Sequence, residues 1–357
     1  MKKDNCCQTE KSDCCSNTNR QEKWITGFHK TKYGDIPIIT TELKNSDIIK
    51  GWKVRWGINR MNYRIQDGLY CIGNPDHDSN VFVTANYKLT FDKLRKELSG
   101  LNAWIIVLDT KGVNVWCAAG KGTFGTIELI RQIGEIKLGA IVNHRKLILP
   151  QLGATGIRAQ EIKEKTGFQV LYGPVYAKDI KEFLTNNMKK TEKMRRVIFD
   201  LKERLAVVPM ELVSSIKPAL IILFILFLVK FYIEKRFSFN FLIEFIPYIG
   251  AIIAGTVIVP TLLPYIPFRS FALKGSVIGV IWVLIIGFIL NINLIMFLIY
   301  FLILVPIVSF LAINYTGAST FTSISGVKAE VKIATPIYLI SIVLGVSLKI
   351  INVIGMI

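Results

Sequence analysis

Cys117 is the residue in this chain best placed for chemistry. It lies in the run Asn114-Val115-Trp116-Cys117-Ala118-Ala119-Gly120-Lys121-Gly122-Thr123-Phe124-Gly125, after an apolar stretch and an Asp109-Thr110-Lys111-Gly112 turn. Asn114 suits the cap of a short helix, which puts Cys117 in the first turn. There the free amides and the helix dipole favour thiolate, the form that binds metal. Ala118, Ala119 and Gly120 are small enough to admit a flat, bulky ligand. One soft thiolate on such a platform suits a single axial position of a large metallo-cofactor, whereas a cage built from protein alone needs three or four ligands. The plainer alternative is a cysteine that fills the core behind a strand. A phosphate loop does not fit, because Lys121 follows the first glycine directly.

The other thiols and imidazoles are arranged differently. Cys6 and Cys7 are adjacent, as are Cys14 and Cys15, while Cys71 stands alone. None of these spacings is the Cys-x-x-Cys unit of a zinc ribbon or a ferredoxin cluster. His77 lies between Asp76 and Asp78, and Arg145 and Lys146 follow His144, so neither these nor His29 is a choice for a metal ligand.

The elements around Cys117 read as an alternating α/β domain. Val81–Ala85 is a short apolar run, and Trp104–Leu108 is a continuous one, the pattern of a strand buried on both faces. Further strands are expected at 140–142, 147–149 and 169–172. Helices are expected at 90–98, 124–136, 159–165 and 178–187. That order predicts a Rossmann-like sheet with helices on both faces. Residues 24–80 hold Trp24, Trp52, Trp56, Tyr63 and Tyr70 among turn formers, which predicts short strands and loops without long helices.

The C-terminal part has another composition. The whole chain of 357 residues is 51% apolar with a formal net charge of +18. Residues 216–357 hold only three carboxylates, Glu234, Glu244 and Glu330. Apolar segments near 218–232, 241–263, 273–290, 292–314 and 335–357 predict about five membrane-spanning helices, an all-α transmembrane bundle. With charge so sparse inside the spans, the bundle reads as an anchor rather than a conduit. Lys189, Lys190, Lys193, Arg195, Arg196, Lys202 and Arg204 form a basic run before the first span. It fits the cytoplasmic face of a lipid bilayer, and no interleaved aromatic platform supports nucleic acid as a partner. The expected divisions are a disordered tail at 1–22, the α/β domain at 23–187, a juxtamembrane linker at 188–215 and the membrane domain at 216–357. With the large domain in the cytoplasm, thiols are reduced and five spans leave the C-terminus outside.

The run Asn114-Val115-Trp116-Cys117-Ala118-Ala119-Gly120-Lys121 resembles the signature of the membrane-bound corrinoid protein of microbial mercury methylation. The resemblance covers most of residues 80–190. It includes Val83-Thr84-Ala85-Asn86-Tyr87-Lys88, Val107-Leu108-Asp109-Thr110-Lys111-Gly112, His144-Arg145-Lys146-Leu147, Leu149-Pro150-Gln151-Leu152-Gly153-Ala154 and Tyr172-Gly173-Pro174-Val175. The loop Thr316–Val327 resembles one of the same membrane family. More distantly, the domain is similar to the corrinoid domain of the corrinoid iron–sulfur protein of acetyl-CoA synthesis, which has a different residue where this chain has Cys117.

The resemblance implies a corrinoid-binding domain holding a cobalamin-type corrinoid base-off, with Cys117 as the lower axial ligand of cobalt. It implies methyl transfer from cobalt to Hg(II), giving methylmercury. The alternative is a corrinoid methyl carrier of one-carbon and acetyl-CoA metabolism without a mercury role. A non-enzymatic membrane protein whose α/β domain binds a nucleotide or a partner is a further alternative. Implied partners are a small ferredoxin-like iron–sulfur protein as reductant and a methyl donor protein or methyltetrahydrofolate. Cofactor contacts are expected from Trp116, Ala118 and Gly120 beside Cys117. By position after strand ends, Thr84, Asn114, Lys121, Thr123, Gln151, Gly153 and Tyr172 join them. The vicinal pairs Cys6, Cys7, Cys14 and Cys15 are candidates for capturing Hg(II), which prefers two thiolates, and for handing it to the corrinoid site.

Overall fold

The computed structural model describes residues 22–318 and 324–355. The chain divides into two compact units, Met1–Lys50 with Met61–Arg196, and Gly51–Arg60 with Val197–Ile357.

The first unit is built on a seven-stranded mixed sheet. The elements of the chain as far as Arg196 are, in order, β1 (Ile25–Thr31), β2 (Gly34–Ile39), α1 (Asn45–Arg55), β3 (Gly68–Ile72), β4 (Val81–Ala85), α2 (Lys88–Glu97), β5 (Ala103–Leu108), α3 (Val115–Lys121), α4 (Thr126–Glu135), β6 (Lys146–Leu149), α5 (Ala159–Thr166), β7 (Gln169–Tyr172) and α6 (Ile180–Thr185). Across the sheet the order is β1-β2-β3-β5-β4-β6-β7, and β5, β4, β6 and β7 run parallel. β3 pairs antiparallel with β5, so the first three strands extend the parallel core as an edge ribbon. From β4 the chain steps to β5 on one side, then crosses back to β6 on the other. The carboxyl ends of β4 and β6 therefore flank the switch point, where open α/β sheets bind ligands.

Alternation along the central strands separates two cores. Val81, Val83 and Ala85 of β4 and Trp104, Ile106 and Leu108 of β5 pack with Ala118, Ala119, Phe124, Leu129 and Ile162. Phe82, Ile105 and Val107 face the other way, onto Phe91 and Leu94 of α2, Leu98 just past it, and Phe183 of α6. Both faces are covered, as the unbroken apolar run Trp104–Leu108 predicts.

Two local expectations need correction. Residues 140–142 are not a strand: a 3-10 turn spans Leu138–Ala140, and Ile141 and Val142 are buried as the chain turns toward β6. Three apolar residues satisfy a strand pattern and a tight turn equally well. Within 24–80, α1 is an eleven-residue helix that the aromatic and turn-forming composition did not suggest.

The second unit contains α7 (Leu201–Leu205), α8 (Val208–Glu234), α9 (Asn240–Ile253), a π-turn at Ala254–Ile258, α10 (Val259–Leu262), α11 (Phe271–Leu290), α12 (Leu294–Asn314) and α13 (Ile324–Val353). Among the described residues, five helical stretches are long and apolar enough to cross a membrane: Leu201–Glu234, Asn240–Leu262, Phe271–Leu290, Leu294–Asn314 and Ser325–Val353. The first begins well before residue 216, so the second half of the expected linker is helical. The π-turn sits just before Pro260, which lacks the amide that would continue the α ladder.

Small residues set the helix spacing in the bundle. A Cβ on Gly275 would stand 2.6 Å from the Ser309 Cα, and one on Gly279 would stand 3.0 Å from that of Val305. Helices α11 and α12 thus meet backbone to backbone, the usual driver of association in lipid. Three of the charges inside the spans come together. Glu244 on α9 takes Lys230 of α8 at 2.8 Å and Lys349 of α13 at 3.9 Å.

Candidate functional site

The turn before α3 is organised by one side chain that sequence reasoning did not single out. The Asn86 carboxamide, just past β4, donates to Asp109 at 2.8 Å. Its oxygen accepts from the Thr110 hydroxyl at 2.9 Å and from the Gly112 amide at 2.9 Å. Asn86 is 3% exposed, so these bonds replace water it has lost. The Asp109 amide donates to Glu128 of α4 at 2.9 Å. Together they fix the point from which α3 departs. Asn86 and Asp109 both stand in the quoted motif runs, the one signal that marked them.

Helix α3 is short and closed at both ends. The Asn114 side chain accepts from the Cys117 amide at 2.9 Å, and Gly122 ends the helix in the left-handed region at φ 78°. Val115, Ala118 and Ala119 turn into the core. The 3-10 segment Gln151–Gly156, just past β6, packs against α3. Gly156 makes this contact possible, since a Cβ there would lie 2.2 Å from the Phe124 carbonyl and 3.0 Å from the Ala119 Cα. The remaining residues face outward: the Cys117 thiol is exposed, Trp116 is 41% exposed, and Gly120 and Lys121 are exposed beside them. The outer side of Gly120 is open, with nothing within 4 Å of the place a Cβ would take.

The candidate contacts divide accordingly. Trp116, Cys117, Gly120 and Lys121 share the outer surface of α3. Asn114 holds that surface in place, and Thr123 lies just past the helix, its hydroxyl 3.4 Å from the Ala118 carbonyl. Gln151, on the segment that packs against α3, accepts a hydrogen bond from Lys190, whose ammonium burial holds below the ordinary lysine range. Ala118 has no exposed surface, and Gly153 is buried against the Phe124 ring. Tyr172 is half-buried, donates to the Ile157 carbonyl at 3.2 Å, and has its phenol pushed up by burial. Thr84 is not brought to the site. It is buried, and by strand alternation it shares the face of Phe82, opposite the face that carries α3. Cys6, Cys7, Cys14 and Cys15 lie outside the described residues.

The imidazoles are engaged at other places. His77 Nδ1 lies 2.6 Å from the Ile141 carbonyl and His144 Nε2 lies 2.9 Å from that of Ser79, both at the amino ends of the parallel strands. His29 packs edge-on to Trp104. A groove of about 410 Å³ between Ile130, Ile133 and Phe168 is also at that end and does not involve Cys117.

These features define an α/β domain with an exposed thiol on a capped helix at the carboxyl end of a parallel sheet, followed by membrane-length helices. Among the described residues no group of three or more His, Cys, Asp or Glu gathers as a metal site. The exposed Cys117 thiol can give one ligand to a cofactor that brings its own ring of donors.

Residues 11–184 match the family model described as CO dehydrogenase/acetyl-CoA synthase delta subunit. The acetyl-CoA decarbonylase/synthase complex subunit gamma of Archaeoglobus fulgidus is 32% identical over 172 residues, covering 46% of this chain and 36% of the relative. The subunit of that name from Methanocaldococcus jannaschii is 34% identical over 128 residues, covering 35% and 26%. The corrinoid/iron-sulfur protein large subunit of Moorella thermoacetica is 25% identical over 162 residues, covering 44% and 36%. The chain thus spans about a third or less of the length of these curated relatives. The matches establish a distant relationship to corrinoid proteins.

Proposed function

We propose that this chain is a membrane-anchored corrinoid protein that transfers a methyl group from cobalt to Hg(II), with the Cys117 thiolate as the lower axial ligand. The observation that carries the proposal is the exposed Cys117 thiol on the outer surface of α3, at the ligand-binding end of the sheet. A base-off corrinoid supplies a cobalt-bound methyl group when present. Cys117 supplies a soft, electron-donating sulfur to the metal, which suits a methyl group bound for an electrophile such as Hg(II). Asn114 orients the first turn, Gly120 leaves room for a planar ring, and Trp116 and Lys121 lie beside it. The methyl donor is a partner protein or methyltetrahydrofolate. The reductant is a ferredoxin-like iron–sulfur protein, for which a chain of net charge +18 is a suitable surface. The basic run 189–204 favours the α/β domain on the cytoplasmic side, with the C-terminus outside.

A second reading is a methyl carrier of one-carbon and acetyl-CoA metabolism without a mercury role. The names of the relatives support it more directly than they support mercury chemistry, because two of the three are acetyl-CoA decarbonylase/synthase subunits. The test uses full-length protein loaded with methylated corrinoid. Single-turnover methyl transfer to Hg(II) is measured beside methyl exchange with methyltetrahydrofolate, in the parent, Cys117→Ala and Cys117→His. The first reading expects fast transfer to Hg(II) that Cys117→Ala abolishes and Cys117→His slows strongly. Folate exchange without transfer to Hg(II) selects the second. Failure of any corrinoid to bind removes both.

A further inference from the structure

Arg204 is buried without the partners an arginine needs. Helix α7 carries it into the second unit, where it is 5% exposed, and Nε and Nη1 of its guanidinium find no hydrogen-bond partner among the described residues. The backbone around it is well held. The Arg204 amide donates to the Asp200 carbonyl at 3.0 Å, and its carbonyl accepts the hydroxyl of fully buried Tyr315 at 3.1 Å. The Asp200 side chain accepts from the Glu203 amide at 2.9 Å as the helix cap. A guanidinium does not lose its proton in proteins, so burial leaves a fixed charge with unsatisfied donors. Such groups persist where an anion completes them.

The surroundings favour a lipid as the source of that anion. Ile198, Leu201 and Leu205 are exposed at 52%, 44% and 41%, an apolar surface on the segment that bears Arg204. Three residues beyond, α8 begins, and its apolar side chains are exposed along most of its length. A phospholipid meets each of these features, with acyl chains along the apolar surface and phosphate oxygens toward the guanidinium. Basic pockets at the end of membrane helices hold headgroups in this way.

We propose that Arg204 is the centre of a phosphate-binding site in the membrane domain, filled by the phosphodiester of a membrane phospholipid. The site belongs to the second unit and does not depend on the corrinoid reading.

Thermal unfolding of the full-length protein in detergent tests it, with added dioleoylphosphatidylglycerol, dioleoylglycerol or inorganic phosphate. The parent should gain several degrees of Tm with phosphatidylglycerol and none with dioleoylglycerol, which has the same chains without phosphate. Arg204→Met should lose that gain yet unfold no lower than the parent in lipid-free detergent, because it no longer buries an unpartnered charge. Arg204→Lys should need at least ten-fold more phosphatidylglycerol for half the effect, and Lys202→Met should match the parent. An Arg204→Met protein with the parent's lipid gain, or with one Tm deficit common to all conditions, overturns the proposal. An Arg204-dependent gain from inorganic phosphate and none from phosphatidylglycerol overturns the lipid assignment.

Discussion

The Asn114 carboxamide and the Cys117 amide lie 2.9 Å apart, so the residue that starts α3 also orients the turn carrying the exposed thiol. Position and chemistry are coupled through one hydrogen bond. Asn114→Ala should lower stability by about 1 kcal/mol, the usual worth of such a cap, and should weaken corrinoid retention more than that loss alone implies. Asn114→Ser or Asn114→Asp should restore both. Denaturant midpoints and corrinoid content after purification provide the comparison, and a fully corrinoid-loaded Asn114→Ala protein would separate the cap from the site.

Two glycines on either side of the same helix should respond in opposite ways. Gly156→Ala sets a Cβ against the Phe124 carbonyl and the Ala119 Cα, so the segment past β6 must move away from α3. About 1–3 kcal/mol of destabilisation is expected from such overpacking. Gly120→Ala meets nothing within the protein and should be as stable as the parent or slightly more so. Its added methyl group stands on the outer surface, so corrinoid retention should fall while Tm does not. Equal retention in Gly120→Ala and the parent would place the ligand elsewhere.

Asp92 lies at the centre of a buried ion cluster. It takes Lys88 at 2.6 Å and Arg95 at 2.7 Å, and Arg95 also takes Asp47 at 3.0 Å. Burial holds the Lys88 ammonium below the ordinary lysine range, against the pull of Asp92. Asp92→Ala leaves two buried cations short of a partner and should cost about 3–5 kcal/mol, measured by denaturant unfolding. A loss under 1 kcal/mol would mean that the cluster is hydrated in solution.

Cys71 should make the α/β domain sensitive to alkali. Burial pushes its thiol up to about 12 from an ordinary value of 9.0. The folded state therefore keeps the proton through a range in which the unfolded chain releases it. A raised value contributes stability below the unfolded value and loses it as pH rises toward the folded one, so the loss falls between about pH 9 and 12. Over that range the parent should lose more stability than Cys71→Ala does. Parallel pH profiles for the two proteins would show that the thiol is hydrated in solution.

The sequence alone determined the features that arise within a few residues. The apolar runs at 81–85 and 104–108 marked two strands, and the helix at 126–135 carries its own periodicity. The cap at Asn114 and the membrane-length segments are equally local. Tertiary structure decided what depends on facing and pairing. Because both faces of β4 are apolar, its sequence gives no sign that Thr84 points away from α3 while Val83 and Ala85 point toward it. The close approach of Gly156 to Ala119 joins residues 37 positions apart and depends on the crossing from β5 to β6. Arg204 reads in sequence as one more cation of a basic run, because burial depends on neighbours such as Tyr315 that lie more than a hundred residues away.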